Sequence, residues 1–139
     1  MSRGWLAGRC VAWQGEAMAG VMIVDDASFM RRVIRKIIES EGYEVAGEAM
    51  DGAEAIEKYE SLQPDLVTMD IVMPRCSGIN ALETIMLRHP EARVVMCSAL
   101  GQEGLVEESL RAGARDFIVK PFRRQEVLTT LGGVLKAAV

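Results

Sequence analysis

An α/β domain with a parallel sheet is the fold class that this sequence predicts. From residue 20 onward, short apolar runs alternate with amphipathic helical segments, giving five strand–helix units. Polar residues able to do chemistry fall at one end of those runs. Asp25 and Asp26 follow Val21–Val24, Asp70 follows Leu66–Met69, Ser98 follows Val94–Cys97, and Lys120 follows Phe117–Val119. Right-handed crossovers between parallel strands put helices on both faces of the sheet and these strand ends on one edge.

Taken in order, Val21–Val24 is a strand. Residues 28–40 form a helix, with apolar side chains at 29, 30, 33, 34, 37 and 38, the stripe of a buried face, and Gly42 as its stop. Tyr43–Ala46 is a short second strand. Gly52–Glu60 is a helix whose outer face carries Glu54, Glu57 and Lys58. Pro64 breaks the chain before the third strand, Leu66–Met69. Ile79–Arg88 is a helix ended by Pro90, and Val94–Cys97 is the fourth strand. Gln102–Ala112 is a helix stopped by Gly113, Phe117–Val119 the fifth strand, and Arg123–Lys136 the closing helix.

Composition narrows the functional classes. The chain has 139 residues, 50% of them apolar and 26% charged, which suits one globular domain with its own core. A net charge of -4 and a pI of about 5.1 argue against nucleic-acid binding, which needs a basic face. No apolar run approaches the ~20 residues of a membrane span. Cys10, Cys76 and Cys97 are spaced for neither a disulfide framework nor zinc. Arg9 and Glu16 interrupt any signal-peptide core, so a reducing cytoplasm is the expected location. Residues 1–19, which hold Trp5 and Trp13, read as a disordered extension, and residues 20–139 as the domain.

The chemistry of the strand ends follows from the residue types. Three carboxylates, Asp25, Asp26 and Asp70, converging in one crevice repel one another unless a cation lies between them. Oxygen-only ligands suit Mg²⁺. Asp70 is the candidate nucleophile, since a carboxylate can attack a phosphoryl group and hold it as an acyl phosphate. Asp25 and Asp26 are candidate metal ligands. Lys120 can reach a phosphoryl oxygen, and Ser98 offers a hydroxyl to another.

The segments Ile23-Val24-Asp25-Asp26, Asp65 to Pro74, Met96-Cys97-Ser98-Ala99 and Asp116 to Phe122 resemble the receiver domains of two-component response regulators. The likeness covers roughly residues 20–137 and is strongest to the stand-alone chemotaxis type. It implies a flavodoxin-like doubly wound sheet with strand order 2-1-3-4-5. It implies that Asp70 accepts phosphate from a histidine kinase, and that Asp26, Asp70 and the Val72 carbonyl ligate Mg²⁺ while Asp25 acts through water. It implies further that Lys120 contacts the phosphoryl group beside a cis bond to Pro121. Ser98 then moves toward the phosphate, and Phe117, the aromatic switch, turns inward. The output face is the fourth helix, the fifth strand and the last helix. Two departures stand out. Cys76 and Ser77 replace residues that are more often Met or Leu, and Asp; Cys76 reads as a small apolar substitute. Phe117 is often Tyr in relatives, so a hydroxyl contact is lost there. His89 reads as a solvated residue at a helix end.

The expected function is a phosphoryl-controlled switch, not an enzyme beyond its own phosphorylation and slow dephosphorylation. The expected partners are a histidine kinase and the flagellar motor switch or another target protein, met by a monomer. The alternative within this class is a relay that passes phosphate to a histidine phosphotransfer protein. An Asp-nucleophile phosphatase needs a second Asp two residues after the first, where Val72 stands. In a flavin carrier, Asp25 and Asp26 would repel the cofactor's phosphate. The short tail after Phe122 leaves no room in this sequence for a DNA-binding domain.

Overall fold

The structure, a computed structural model, describes residues 19–137. Cys10, Trp5, Trp13 and nearly all of the expected N-terminal extension lie outside the described residues. Ten elements alternate without exception: β1 Gly20–Val24, α1 Ser28–Ser40, β2 Glu44–Ala49, α2 Gly52–Leu62, β3 Leu66–Asp70, α3 Gly78–Arg88, β4 Val94–Ser98, α4 Glu103–Arg111, β5 Asp116–Val119 and α5 Arg124–Lys136. The five strands are parallel and lie in the order β2-β1-β3-β4-β5.

Alternation along the central strands builds two apolar layers. Met22, Val24, Val67, Met69, Val94 and Met96 pack beneath α2 and α3 with Ala55, Leu82 and Ile85. Val21, Ile23, Leu66, Val95 and Cys97 pack beneath α1 and α5 with Ile34, Ile38, Val127 and Leu131. Strands β1, β3 and β4 are therefore apolar on both faces, as a covered parallel sheet requires. Cys76 packs against the first layer, the apolar role expected of it, and Cys97 is buried in the second; both are free thiols.

Two local expectations change. β2 runs to Ala49, three residues beyond the expected end at Ala46. Its register against β1 shifts between Val21 and Met22, so that Met22 faces Gly47. A Cβ on Gly47 would lie 2.6 Å from Leu62, so the glycine lets α2 pack onto the strand. His89 does stand at the end of α3, but its side chain is only 18% exposed and has partners. It lies against Tyr59, with centroids 4.9 Å apart, and Nε2 is 3.0 Å from Glu60.

Helix starts follow capping chemistry where the sequence supplies it. Asp51 accepts the Glu54 N–H at 2.9 Å to cap α2, and Ser77 accepts the Asn80 N–H at 3.2 Å to cap α3. The positions before α1 and α4, Ala27 and Gln102, give no such cap.

Candidate functional site

Five of the sequence-predicted residues lie at the C-terminal edge of the sheet. Asp25 and Asp26 follow β1, Asp70 and Ser98 are the last residues of β3 and β4, and Lys120 follows β5. Asp25, Asp26 and Asp70 each offer a carboxylate oxygen within 4.8 Å of the others. Asp25 and Asp70 are buried, while Asp26 faces solvent. Lys120 Nζ bridges the buried pair, 3.1 Å from Asp25 Oδ2 and 3.2 Å from Asp70 Oδ2. The Lys120–Pro121 peptide bond is cis, as the resemblance implied.

The electrostatics match this crowding. Burial pushes the Asp70 carboxyl up, and the neighbouring Asp25 charge adds to it; Lys120 and the Val72 N–H only partly offset the rise. Burial would draw the Lys120 ammonium down. The hydrogen bond to Asp25, the charges of Asp70 and Asp25 and the bond to Asp70 outweigh it and raise it. One ammonium thus pairs with two of the three clustered carboxylates. The remaining negative charge and the oxygen-only donor set fit a small, hard divalent cation such as Mg²⁺.

Ser98 and Phe117 fall together, beside the carboxylates rather than among them. Ser98 is buried, and its carbonyl accepts the Lys120 N–H at 2.7 Å. Among the described residues no hydrogen bond joins its hydroxyl to the acids. A cavity of about 110 Å³ opens beside it, lined by Ala99, Leu100, Gln102, Val106 and Phe117 among others. Phe117 is 37% exposed at its mouth, turned outward. Val72 lies in the loop after β3 with its side chain exposed and its N–H donating to Asp70.

Several supporting residues escaped the sequence reading. Arg75 pairs with Asp51, which ties the loop after β3 to the start of α2. Gln102 Oε1 accepts the Ala99 N–H at 2.7 Å and holds the loop after β4. Arg31 Nη1 donates to the Asp25 carbonyl at 2.6 Å. Two of these contacts involve a main-chain group, which no pattern of residue types marks.

The chain belongs to the family of response regulator receiver domains, whose family model matches residues 21–132. Among its relatives is the chemotaxis protein CheY of Thermotoga maritima, 54% identical over 116 residues that span 84% of this chain and 97% of that protein. CheY of Bacillus subtilis is 50% identical over 115 residues, 83% of this chain and 96% of its own. A similar solved structure is that of a CheX–CheY–BeF₃–Mg²⁺ complex from Borrelia burgdorferi, with TM-score 0.82 and 43% identity over 86% of this chain and 90% of that one. The protein is thus a receiver of the chemotaxis type, a signalling domain. No helix among the described residues is long and apolar enough to cross a membrane.

Proposed function

We propose that this receiver is a chemotaxis response regulator that a histidine kinase phosphorylates on Asp70 in a Mg²⁺-dependent reaction. The supporting observation is the Asp25–Lys120–Asp70 bridge with Asp26 open beside it, at the one edge where all strand ends meet. An Asp70 oxygen attacks the phosphorus of a phosphohistidine, the N–P bond breaks, and the imidazole leaves to take up a proton. The product is an aspartyl phosphate, which water returns to carboxylate and phosphate. Asp26 and Asp70, with the Val72 carbonyl, would hold the Mg²⁺, with Asp25 acting through water, and charge developing on the phosphoryl oxygens would be neutralised there. Lys120 binds a phosphoryl oxygen and Ser98 donates its hydroxyl to another.

The response follows from the cavity. As Ser98 moves toward the phosphate, Phe117 turns into the space of about 110 Å³ beside it, and the face of α4, β5 and α5 changes shape. The proposed reader of that face is the flagellar motor switch. The names of the relatives favour it over transfer to a histidine phosphotransfer protein, and pull-downs with and without a beryllofluoride phosphate mimic separate the two. The primary test is labelling by acetyl phosphate with Mg²⁺. The parent should gain one hydroxylamine-labile phosphate, and Asp70→Asn, nearly isosteric but not nucleophilic, should gain none. Labile phosphate on the variant would remove Asp70 from its role.

A further inference from the structure

The two aspartates after β1 are held very differently. Asp25 is engaged at every polar group: its N–H donates to the Ala49 carbonyl at 3.1 Å, Oδ1 accepts the Ala27 N–H at 2.9 Å, and Oδ2 takes Lys120 at 3.1 Å. Its carbonyl accepts Arg31 Nη1 at 2.6 Å. Asp26 is exposed, and among the described residues no hydrogen bond or ion pair holds its carboxylate. Its place is therefore set through the backbone. The Asp25 carbonyl belongs to the planar peptide unit that joins the two residues, so whatever fixes that oxygen also fixes the Asp26 nitrogen.

Arg31 is built to do this. Its side chain is only 17% exposed, and its Nε donates to Glu48 Oε1 on β2 at 2.8 Å. Glu48 is itself clamped: Arg35 Nε donates to its carboxylate at 3.0 Å, and Lys58 Nζ to its carbonyl at 2.6 Å. The start of α1 lacks a side-chain cap, and the Arg31 N–H closes its first turn onto the Ala27 carbonyl at 3.1 Å. The guanidinium thus joins the loop 25–27 to the β2 edge of the sheet with one rigid fork.

We propose that Arg31 is a positioning residue for the metal site: it orients the Asp25–Asp26 peptide so that the Asp26 carboxylate faces Asp70. The inference rests on the reading of the three carboxylates as a Mg²⁺ site. A plain surface ion pair with Glu48 would add little to stability and nothing to metal affinity. A group that orients a metal ligand instead shifts affinity by roughly tenfold or more when removed.

The experiment is calorimetric titration of the full chain with Mg²⁺, on the parent, Arg31→Met, Arg31→Lys and Glu48→Gln. Arg31→Met should bind Mg²⁺ about tenfold more weakly. Arg31→Lys keeps the charge but cannot serve both acceptors, so it should fall between Arg31→Met and the parent. Glu48→Gln leaves the Asp25 carbonyl bonded and should stay closest to the parent. At saturating Mg²⁺ the variants should label with acetyl phosphate at the parental rate, and the amide resonance of Asp26 should shift in the metal-free Arg31 variants. Should Arg31→Met not fold, Arg31→Lys alone decides. Affinity within about twofold of the parent in the folded Arg31 variants would overturn the role of Arg31 and leave the site reading intact. A parent that binds no Mg²⁺ would overturn the site reading and the role of Arg31 with it.

Discussion

The two sides of the site are held to different standards. Around β1 and β3, Asp25 is bonded at its amide, carbonyl and both carboxylate oxygens, and Asp70 is met by Lys120 and the Val72 N–H. Around β4 and β5 the loop 99–101 is exposed, Gly101 has φ +89°, α4 begins without a side-chain cap, and Gln102 alone reaches back to Ala99. Phe117 lines the mouth of the cavity beside Ser98 and is partly exposed there. In-line displacement demands reacting groups fixed in advance. A switch demands an element with two arrangements close in free energy. On the proposed function, this edge of the sheet serves both demands, divided between neighbouring strands.

Two glycines test that division. A Cβ on Gly78 would lie 2.0 Å from the Asp70 carbonyl oxygen and 3.0 Å from Ile71 Cα, backbone that cannot swing aside. Gly78→Ala should lower stability by about 1–3 kcal/mol in chemical denaturation and displace Asp70, so that labelling slows as well. Gly104, in the first turn of α4, has no atom within 4 Å of its Cβ position. Gly104→Ala should have the opposite sign, a gain of about 0.4–1 kcal/mol, because it restricts the unfolded chain where the native backbone tolerates a side chain. Equal losses at both positions would erase the proposed contrast.

Of the three clustered acids, Asp26 is the one whose carboxylate has no partner among the described residues, so its removal separates folding from metal binding. Asp26→Ala should weaken Mg²⁺ binding by at least about tenfold, about 1.4 kcal/mol. Its melting temperature in chelator should match or exceed that of the parent, because one of three repelling charges is gone. The rise in melting temperature on adding Mg²⁺ should shrink accordingly. Unchanged Mg²⁺ affinity would remove Asp26 from the site.

The fixed side was also the more legible one in the sequence. Lys120 and Asp25 are 95 residues apart, yet both could be placed because each closes an apolar run and parallel strands align their ends. All ten elements carry their own period, and most limits agree with the structure to within two residues. The exception is β2, an edge strand paired only with β1 through a shifted register, whose Gly47 and Glu48 look like a break. What stayed hidden depends on close approach or on main-chain acceptors. Gly78 is defined by the backbone it touches, and Arg31 by a carbonyl that any residue would supply. Neither leaves a trace in hydrophobic period or residue type.

The smallest expected effect lies where the two sides meet over the phosphoryl group. Hydrolysis of the aspartyl phosphate needs a water in line with the Asp70–phosphorus bond. By resemblance to receivers, the residues two after Asp70 and two after Ser98, Val72 and Leu100, flank that approach. Both side chains are exposed, Val72 at 53% and Leu100 at 80%, and neither can orient or polarise a water. Val72→Asn and Leu100→Glu should each speed spontaneous dephosphorylation severalfold, read as decay of phosphoprotein in excess Mg²⁺ after donor is removed. The contrast between the sides predicts an order. Val72 follows the buried Ile71, whose N–H donates to the Cys97 carbonyl at 3.1 Å, so a polar group at 72 starts from a held backbone. Leu100 rides on the loose loop, so a carboxylate there meets the water only part of the time, and its gain should be the smaller. Parental or slower decay in both variants would show that apolar flanks do not set the lifetime, and a larger gain from Leu100→Glu would show that the loop after β4 is fixed once Asp70 is phosphorylated.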